Sequence, residues 1–255
     1  MDVVVTLVSD YLTGKATDHL VDVFRRNVIE RWSKWRAEKF LETFYSEISI
    51  LLNASDPQKL NEALDKILQH EERTEVLFDA YRSVSLSRSK NIGPRIIAVI
   101  TAKLTYEKRT ATMEEEIILS AAEMLNDNEL IEYASFVSKY KGEANSKNKD
   151  ALLDEKGNLR IRWCEEQQDS NWHRETEISV SPLNLTSVLG VWATKLKNLG
   201  IIVDEVIEKK WAYKEDSERH IDQDGEVREI IWWIAVDKEF FFLANLIDRF
   251  KHTAE

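Results

Sequence analysis

The chain holds 255 residues, with 35 basic against 46 acidic side chains and a net charge of −11. Apolar residues make up 43% and charged residues 32%, a mix that can build a core and excludes wholesale disorder. Seven glycines, three prolines and one cysteine exclude collagen-like or linker-like sequence, a disulfide framework and a cysteine-based zinc cluster.

No run reaches the roughly 18 apolar residues that a membrane helix needs. The apolar patch of Val3, Val4, Val5, Leu7 and Val8 follows Asp2 and has no basic segment before it, unlike a secretory signal. The expectation is a cytoplasmic chain with a reduced thiol, no membrane attachment and no cofactor.

Residues 21–52 repeat apolar side chains at spacings of three and four. Phe24, Val28, Trp32 and Trp35, then Phe40, Phe44, Ile48, Leu51 and Leu52, form a stripe on one long helix or two stacked ones. Residues 53–57 stop it, and Asp56 before Pro57 opens a helix with Leu60, Leu64, Ile67 and Leu68. Residues 72–85 carry Val76, Leu77, Ala80, Tyr81 and Val84. The run Asn91, Ile92, Gly93, Pro94 is a joint, because the residue before a proline disfavours helix. A buried helix is predicted over 95–106. Thr110 or Thr112 caps the next, with Glu114, Glu115 and Glu116 on the positive end of its dipole. Asp127 caps a helix over 128–140.

Residues 141–154 are polar and aperiodic until Leu152 and Leu153, and are read as a linker or long loop. The pattern then changes. Leu159, Ile161 and Trp163 alternate with Arg160 and Arg162, which predicts a strand. A second short strand is predicted over 177–180 and a helix over 185–198, with Gly200 as its left-handed cap. Strand-like runs at 201–203 and 207–213, a hairpin turn at Asp224 and Gly225, a strand over 227–236 and a helix over 239–250 follow. The predicted class is mainly α with a smaller α+β part: an all-helical domain 1–140, a linker 141–157, and an α+β domain 158–255 with a small antiparallel sheet.

The order of helix, "Leu-Gly-Ile-Ile", hairpin and helix over residues 158–250 resembles winged-helix domains. The resemblance implies that 185–198 is the recognition-type helix and 222–225 the tip of the wing. That helix offers only Lys195 and Lys197 to phosphate, and residues 204–229 hold ten acidic against five basic side chains. An acidic wing is repelled by nucleic acid, which favours a module used for protein contact.

No catalytic signature stands out. The five histidines, His19, His70, His173, His220 and His252, lack metal-ligand spacing. Cys164 has no base assignable beside it and reads as a small buried hydrophobe. Asp222, Asp224 and Gly225 mimic a calcium loop, but Ile231 stands where the closing glutamate belongs. No glycine-rich phosphate loop exists. No metal site is predicted.

Charge is more informative. One basic island spans residues 24–39 and contains Arg31, Trp32, Trp35 and Arg36. A second spans 80–109 and contains Arg82, Arg88, Lys90 and Arg95, with serines between its cations that suit phosphate contacts. Both islands are open to two readings. They pair with the chain's own acidic segment at 113–133, which has seven acidic and no basic residues, or they form a binding face. Trp32 and Trp35 share one helix face and suit core packing, a protein interface or base stacking. Neighbours on a strand point to opposite sides, so one of Trp232 and Trp233 faces outward; Trp233 is carried forward as the partner contact.

The segments 87–101 (Ser-Arg-Ser-Lys-Asn-Ile-Gly-Pro-Arg-Ile-Ile-Ala-Val-Ile-Thr) and 120–130 (Ser-Ala-Ala-Glu-Met-Leu-Asn-Asp-Asn-Glu-Leu) resemble small helical proteins of bacterial prophages and defence islands, such as exclusion and abortive-infection proteins. The resemblance implies a non-enzymatic protein that binds a phage or host component of the replication machinery. The resulting expectation is an interaction protein with another protein as partner. A nucleic-acid-binding regulator is the alternative, and a homo-oligomer is compatible with either.

Overall fold

The computed structural model describes residues 34–53, 71–146, 150–169, 183–214 and 224–253. The chain is mainly helical, with a small antiparallel sheet in its C-terminal part. Two compact units share it. The first takes the described residues up to Ala134 together with those from Phe242 onward, and the second runs from Ser135 to Phe241. The helix predicted over 57–68 and the strand over 177–180 lie outside the described residues.

The first unit begins with α1 (Lys34–Leu51), whose Phe40, Phe44 and Ile48 are buried at helical spacing. α2 (Glu71–Leu86) buries Leu77, Ala80 and Val84. α3 (Ile92–Glu107) is buried along almost its whole length, including Ile96, Ile97 and Ile100. It begins at Ile92, ahead of the predicted start, because Pro94 falls in its first turn, where an amide has no intrahelical partner to lose. α4 (Met113–Met124) opens on a capping box: Glu115 N–H donates to the Thr112 hydroxyl, and Thr112 N–H donates to the Glu115 carboxylate. α5 (Asp127–Asn145) starts on a similar reciprocal pair, Asn126 with Glu129. It runs past the predicted end at 140, through Gly142 to Asn145. α8 (Phe241–Phe250) closes the unit with buried Leu243, Leu246, Ile247 and Phe250.

The second unit holds the rest of α5 and a four-stranded sheet of order β1-β2-β4-β3, antiparallel throughout. β1 (Ala151–Leu153), inside what reads as a linker, forms a hairpin with β2 (Leu159–Asp169). The Asp154 carboxylate accepts from Lys156 N–H and Asn158 N–H, each at 2.9 Å, and Gly157 takes φ +86°. β2 carries a bulge between Arg162 and Cys164.

The predicted helix 185–198 is two helices, α6 (Leu185–Leu189) and α7 (Val191–Asn198). They break at Gly190, whose φ of +102° only glycine adopts readily. Gly200, at φ +78°, ends α7 as expected. β3 (Ile202–Lys214) joins the two predicted runs into one strand, and β4 (Asp224–Val236) pairs with it along its full length. Asp224 and Gly225 stand opposite Lys214 and Tyr213 in this ladder, so they are strand residues and not the turn.

One sheet face buries Leu159, Ile161, Ile202, Ile230, Trp232 and Ile234; the other carries Arg160, Val203, Glu205 and Trp233. Phe136 of α5 meets Trp192 of α7 edge-on at 5.6 Å within this unit.

Candidate interaction surface

The site rests on residues 87–91, the link from α2 to α3. Burial alternates along it: Ser87, Ser89 and Asn91 are buried, whereas Arg88 and Lys90 are exposed. Each inward group has a partner. The Ser87 hydroxyl donates to the Ala122 carbonyl at 3.0 Å, and the Ser89 hydroxyl donates to the Asp127 carboxylate. Gly93 N–H donates to the Ser89 hydroxyl oxygen at 2.6 Å. The same Asp127 carboxylate accepts Lys90 N–H at 3.0 Å and Ile92 N–H at 2.9 Å, satisfying the open amides at the start of α3. Arg88 N–H donates to the Glu123 carbonyl at 2.9 Å, and Arg36 Nε donates to the Ser89 carbonyl at 3.1 Å. Ser87 and Ser89, two of the serines that suit phosphate contact in the sequence, are thus turned inward as struts, and Arg88 and Lys90 stand on the outside.

Gly93 is required by this packing. A Cβ there would sit 2.5 Å from the Ala122 carbonyl oxygen and 2.7 Å from Ser89 Cβ, so the crossing backbones could not approach as they do.

α2 supplies the rest of the surface. Phe78, Arg82 and Leu86 fall at intervals of four on one helix face, and Phe78 and Leu86 are 55% and 57% exposed. Arg82 is exposed between them. Among the described residues, Arg82, Arg88 and Lys90 have no side-chain ion pair.

Arg95, Lys103 and Arg109 are committed inside the first unit, whereas Lys108 is exposed. Arg95 is buried, donating to Asn91 at 3.1 Å and to Glu42 at 3.4 Å, with its guanidinium 5.7 Å from the centre of the Phe250 ring. Burial pushes its pKa down and Glu42 opposes that. Lys103 and Arg109 converge on Glu115. The two readings of the second island therefore divide it: Lys103 and Arg109 pair with the acidic segment, and Arg82, Arg88, Lys90 and Lys108 are exposed.

Trp35 is exposed, with Lys39 Nζ 4.8 Å from its ring centre, so it is not a core residue. Arg31 and Trp32 lie outside the described residues. In the second unit Trp232 is buried and Trp233 half-buried on the opposite face; the Trp233 indole N–H is sheltered and has no acceptor among the described residues.

Two grooves are lined by described residues of the second unit. One, of 490 Å³, lies between α5 and β2 and is lined by Lys139, Tyr140, Glu143, Asp150, Arg162 and Cys164. The other, of 380 Å³, is lined by Asp154, Asn158, Arg160, Val203 and Glu205. Cys164 is exposed and not the small buried hydrophobe expected from the sequence; partial desolvation first, and Glu166 second, push its thiol up, the reverse of what an activated nucleophile needs. Among the described residues no group of three His, Cys, Asp or Glu side chains converges to hold a metal ion. His252 is the one histidine described, and it is exposed. No described helix is long and apolar enough to cross a membrane.

No family model, curated protein or solved structure matches the chain. The functional reading therefore rests on the residues themselves.

Proposed function

We propose that this chain is a non-enzymatic interaction protein that binds an acidic protein surface through α2 and residues 87–91. The observation that carries the reading is the alternation in that segment. It sets Arg88 and Lys90 on a rigid, fully bonded support beside the exposed Phe78, Arg82 and Leu86. Aromatic and arginine side chains are the types enriched at protein interfaces, and a support fixed before binding has little ordering entropy left to lose. The resemblance of 87–101 and 120–130 to exclusion and abortive-infection proteins supports a phage or host replication component as the partner. On that reading the chain acts in antiviral defence.

A nucleic-acid-binding regulator is the second reading. It draws on the order α5, β2, α6, α7, β3, β4 with β2, β4 and β3 adjacent, which is consistent with the winged-helix resemblance of the sequence. Against it, Lys197 on α7 is tied to Asp204 at 2.6 Å and is not offered to phosphate.

A photo-reactive residue placed at Phe78 or Leu86 tests the first reading in cells with and without phage. Crosslinking to one discrete protein from both positions, and not from Ser120, is the expected result. Salt-sensitive binding of labelled DNA or RNA by the purified chain, abolished by Arg82→Glu with Arg88→Glu and unaccompanied by a protein crosslink, would instead establish the second.

A further inference from the structure

β3 forms the long edge of the sheet. Its thirteen residues pair with β4 from Ile202↔Val236 to Lys214↔Asp224 without a register shift, and among the described residues no strand pairs with its other side. An edge of this length offers a row of amides and carbonyls to another strand, and β3 has neither proline nor bulge to blunt it.

Its charges run in order along the strand. Asp204 and Glu205 come early, and Lys209 comes late. In an antiparallel pairing of this edge with its own copy, a twofold axis passes through one residue, and residues equidistant from it stand opposite each other. The centres that pair at least nine of the thirteen residues run from 206 to 210. Centred on 206, Asp204 meets Glu208. Centred on 208, 209 or 210, a glutamate or lysine meets itself. Centred on Ile207, Glu205 meets Lys209 twice, Val206 meets Glu208 and Ile207 meets its own copy, with no like charges opposed. Glu205 and Lys209 share a sheet face, since Glu205 reaches Arg160 at 3.0 Å and Lys209 reaches Glu229 at 3.3 Å on the strands behind.

We propose that a second copy of the chain docks on this edge, antiparallel, with Ile207 on the twofold axis, so that the two four-stranded sheets become one. Asp204 braces the strand for this role, because its ion pair with Lys197 ties β3 to α7 at the acidic end.

Sedimentation equilibrium of the full chain reads the association. Glu205→Lys or Lys209→Glu alone is expected to weaken the dimer by about tenfold or more, and the double variant to restore it to within about threefold. Within one chain the double variant sets like charges against both Arg160 and Glu229, so rescue reports the contact between copies. In a Cys164→Ser background, Ile207→Cys is expected to give a disulfide-linked dimer on mild oxidation, because opposed strand residues lie within disulfide reach. Val203→Cys stands about 27 Å from its own copy in this register, at about 3.4 Å per residue, and is expected not to crosslink. A chain that stays monomeric, or a dimer indifferent to both charge variants and not linked through Ile207→Cys, overturns the proposal.

Discussion

The Asp127 carboxylate accepts the Ile92 amide at 2.9 Å across a separation of 35 residues. One side chain at the start of α5 thereby caps the start of α3 and fixes the segment that carries Arg88 and Lys90. It also accepts from the Lys90 amide and the Ser89 hydroxyl. Asp127→Ala removes a charged acceptor from several donors at once and is expected to cost about 2–3 kcal/mol. Asp127→Asn keeps an acceptor oxygen and is expected to cost less. Urea unfolding of the two variants checks the order.

Two glycine substitutions are expected to act with opposite signs. Gly93→Ala drives a Cβ to 2.5 Å from a backbone carbonyl and is expected to destabilise by about 2–3 kcal/mol, as overpacking does. Lys108 ends α3 in the left-handed conformation, at φ +57°, with its N–H donating to the Leu104 carbonyl. Lys108→Gly relieves that geometry and is expected to stabilise by about 0.5–1 kcal/mol. Thermal melts of both variants separate the steric case from the dihedral one.

The cations of the second basic island are expected to divide by stability. Arg95→Ala removes hydrogen bonds to Asn91 and Glu42 and the contact over Phe250, leaving a hole in the core; a loss of about 2–4 kcal/mol is expected. Arg82→Glu and Arg88→Glu lie on the exposed side and are expected to stay within about 0.5 kcal/mol of the parent chain. A binding defect in an Arg95 variant therefore reports on folding, and only the exterior pair tests the surface.

Local signals carried well from sequence to structure where a residue's neighbours on its own helix or strand decide its place. Phe40, Phe44 and Ile48 turn inward because they share one helical face, Thr112 caps α4 three residues before Glu115, and Leu159 and Ile161 alternate with arginines. The signal failed where a distant group decides. Nothing near Ser87 or Ser89 announces that their partners are Ala122 and Asp127, so the serines read as companions of the cations they oppose. Gly190 and Gly157 are single glycines whose positive φ breaks a helix and turns a hairpin; Asp154 followed by Gly157 was the available sign of that hairpin. Arg95 could not be told from Arg88 by composition, because only the crossing of α1 and α8 shows which of them is enclosed.

Glu115 ties these local and distant effects together and carries a pH dependence. Its carboxylate accepts both arms of Arg109, at 2.5 and 2.7 Å, along with Lys103 at 3.2 Å and Thr112 N–H at 3.0 Å. The Arg109 hydrogen bonds, foremost, hold its pKa down at about 2 against an ordinary 4.5, overriding the opposing effect of burial. A carboxylate depressed in the folded state contributes stability that is complete above the ordinary value and is lost as pH falls toward the folded one. The stability of the parent chain is therefore expected to fall between about pH 5 and pH 2 by about 1–3 kcal/mol from this group. Glu115→Gln keeps the shape and the capping contact but not the charge. It is expected to be less stable than the parent at pH 7 by a similar amount and to converge with it near pH 2. Urea midpoints of both proteins across that range decide the matter: parallel curves would show that the Arg109 fork contributes nothing, and convergence would assign the acid limb to Glu115.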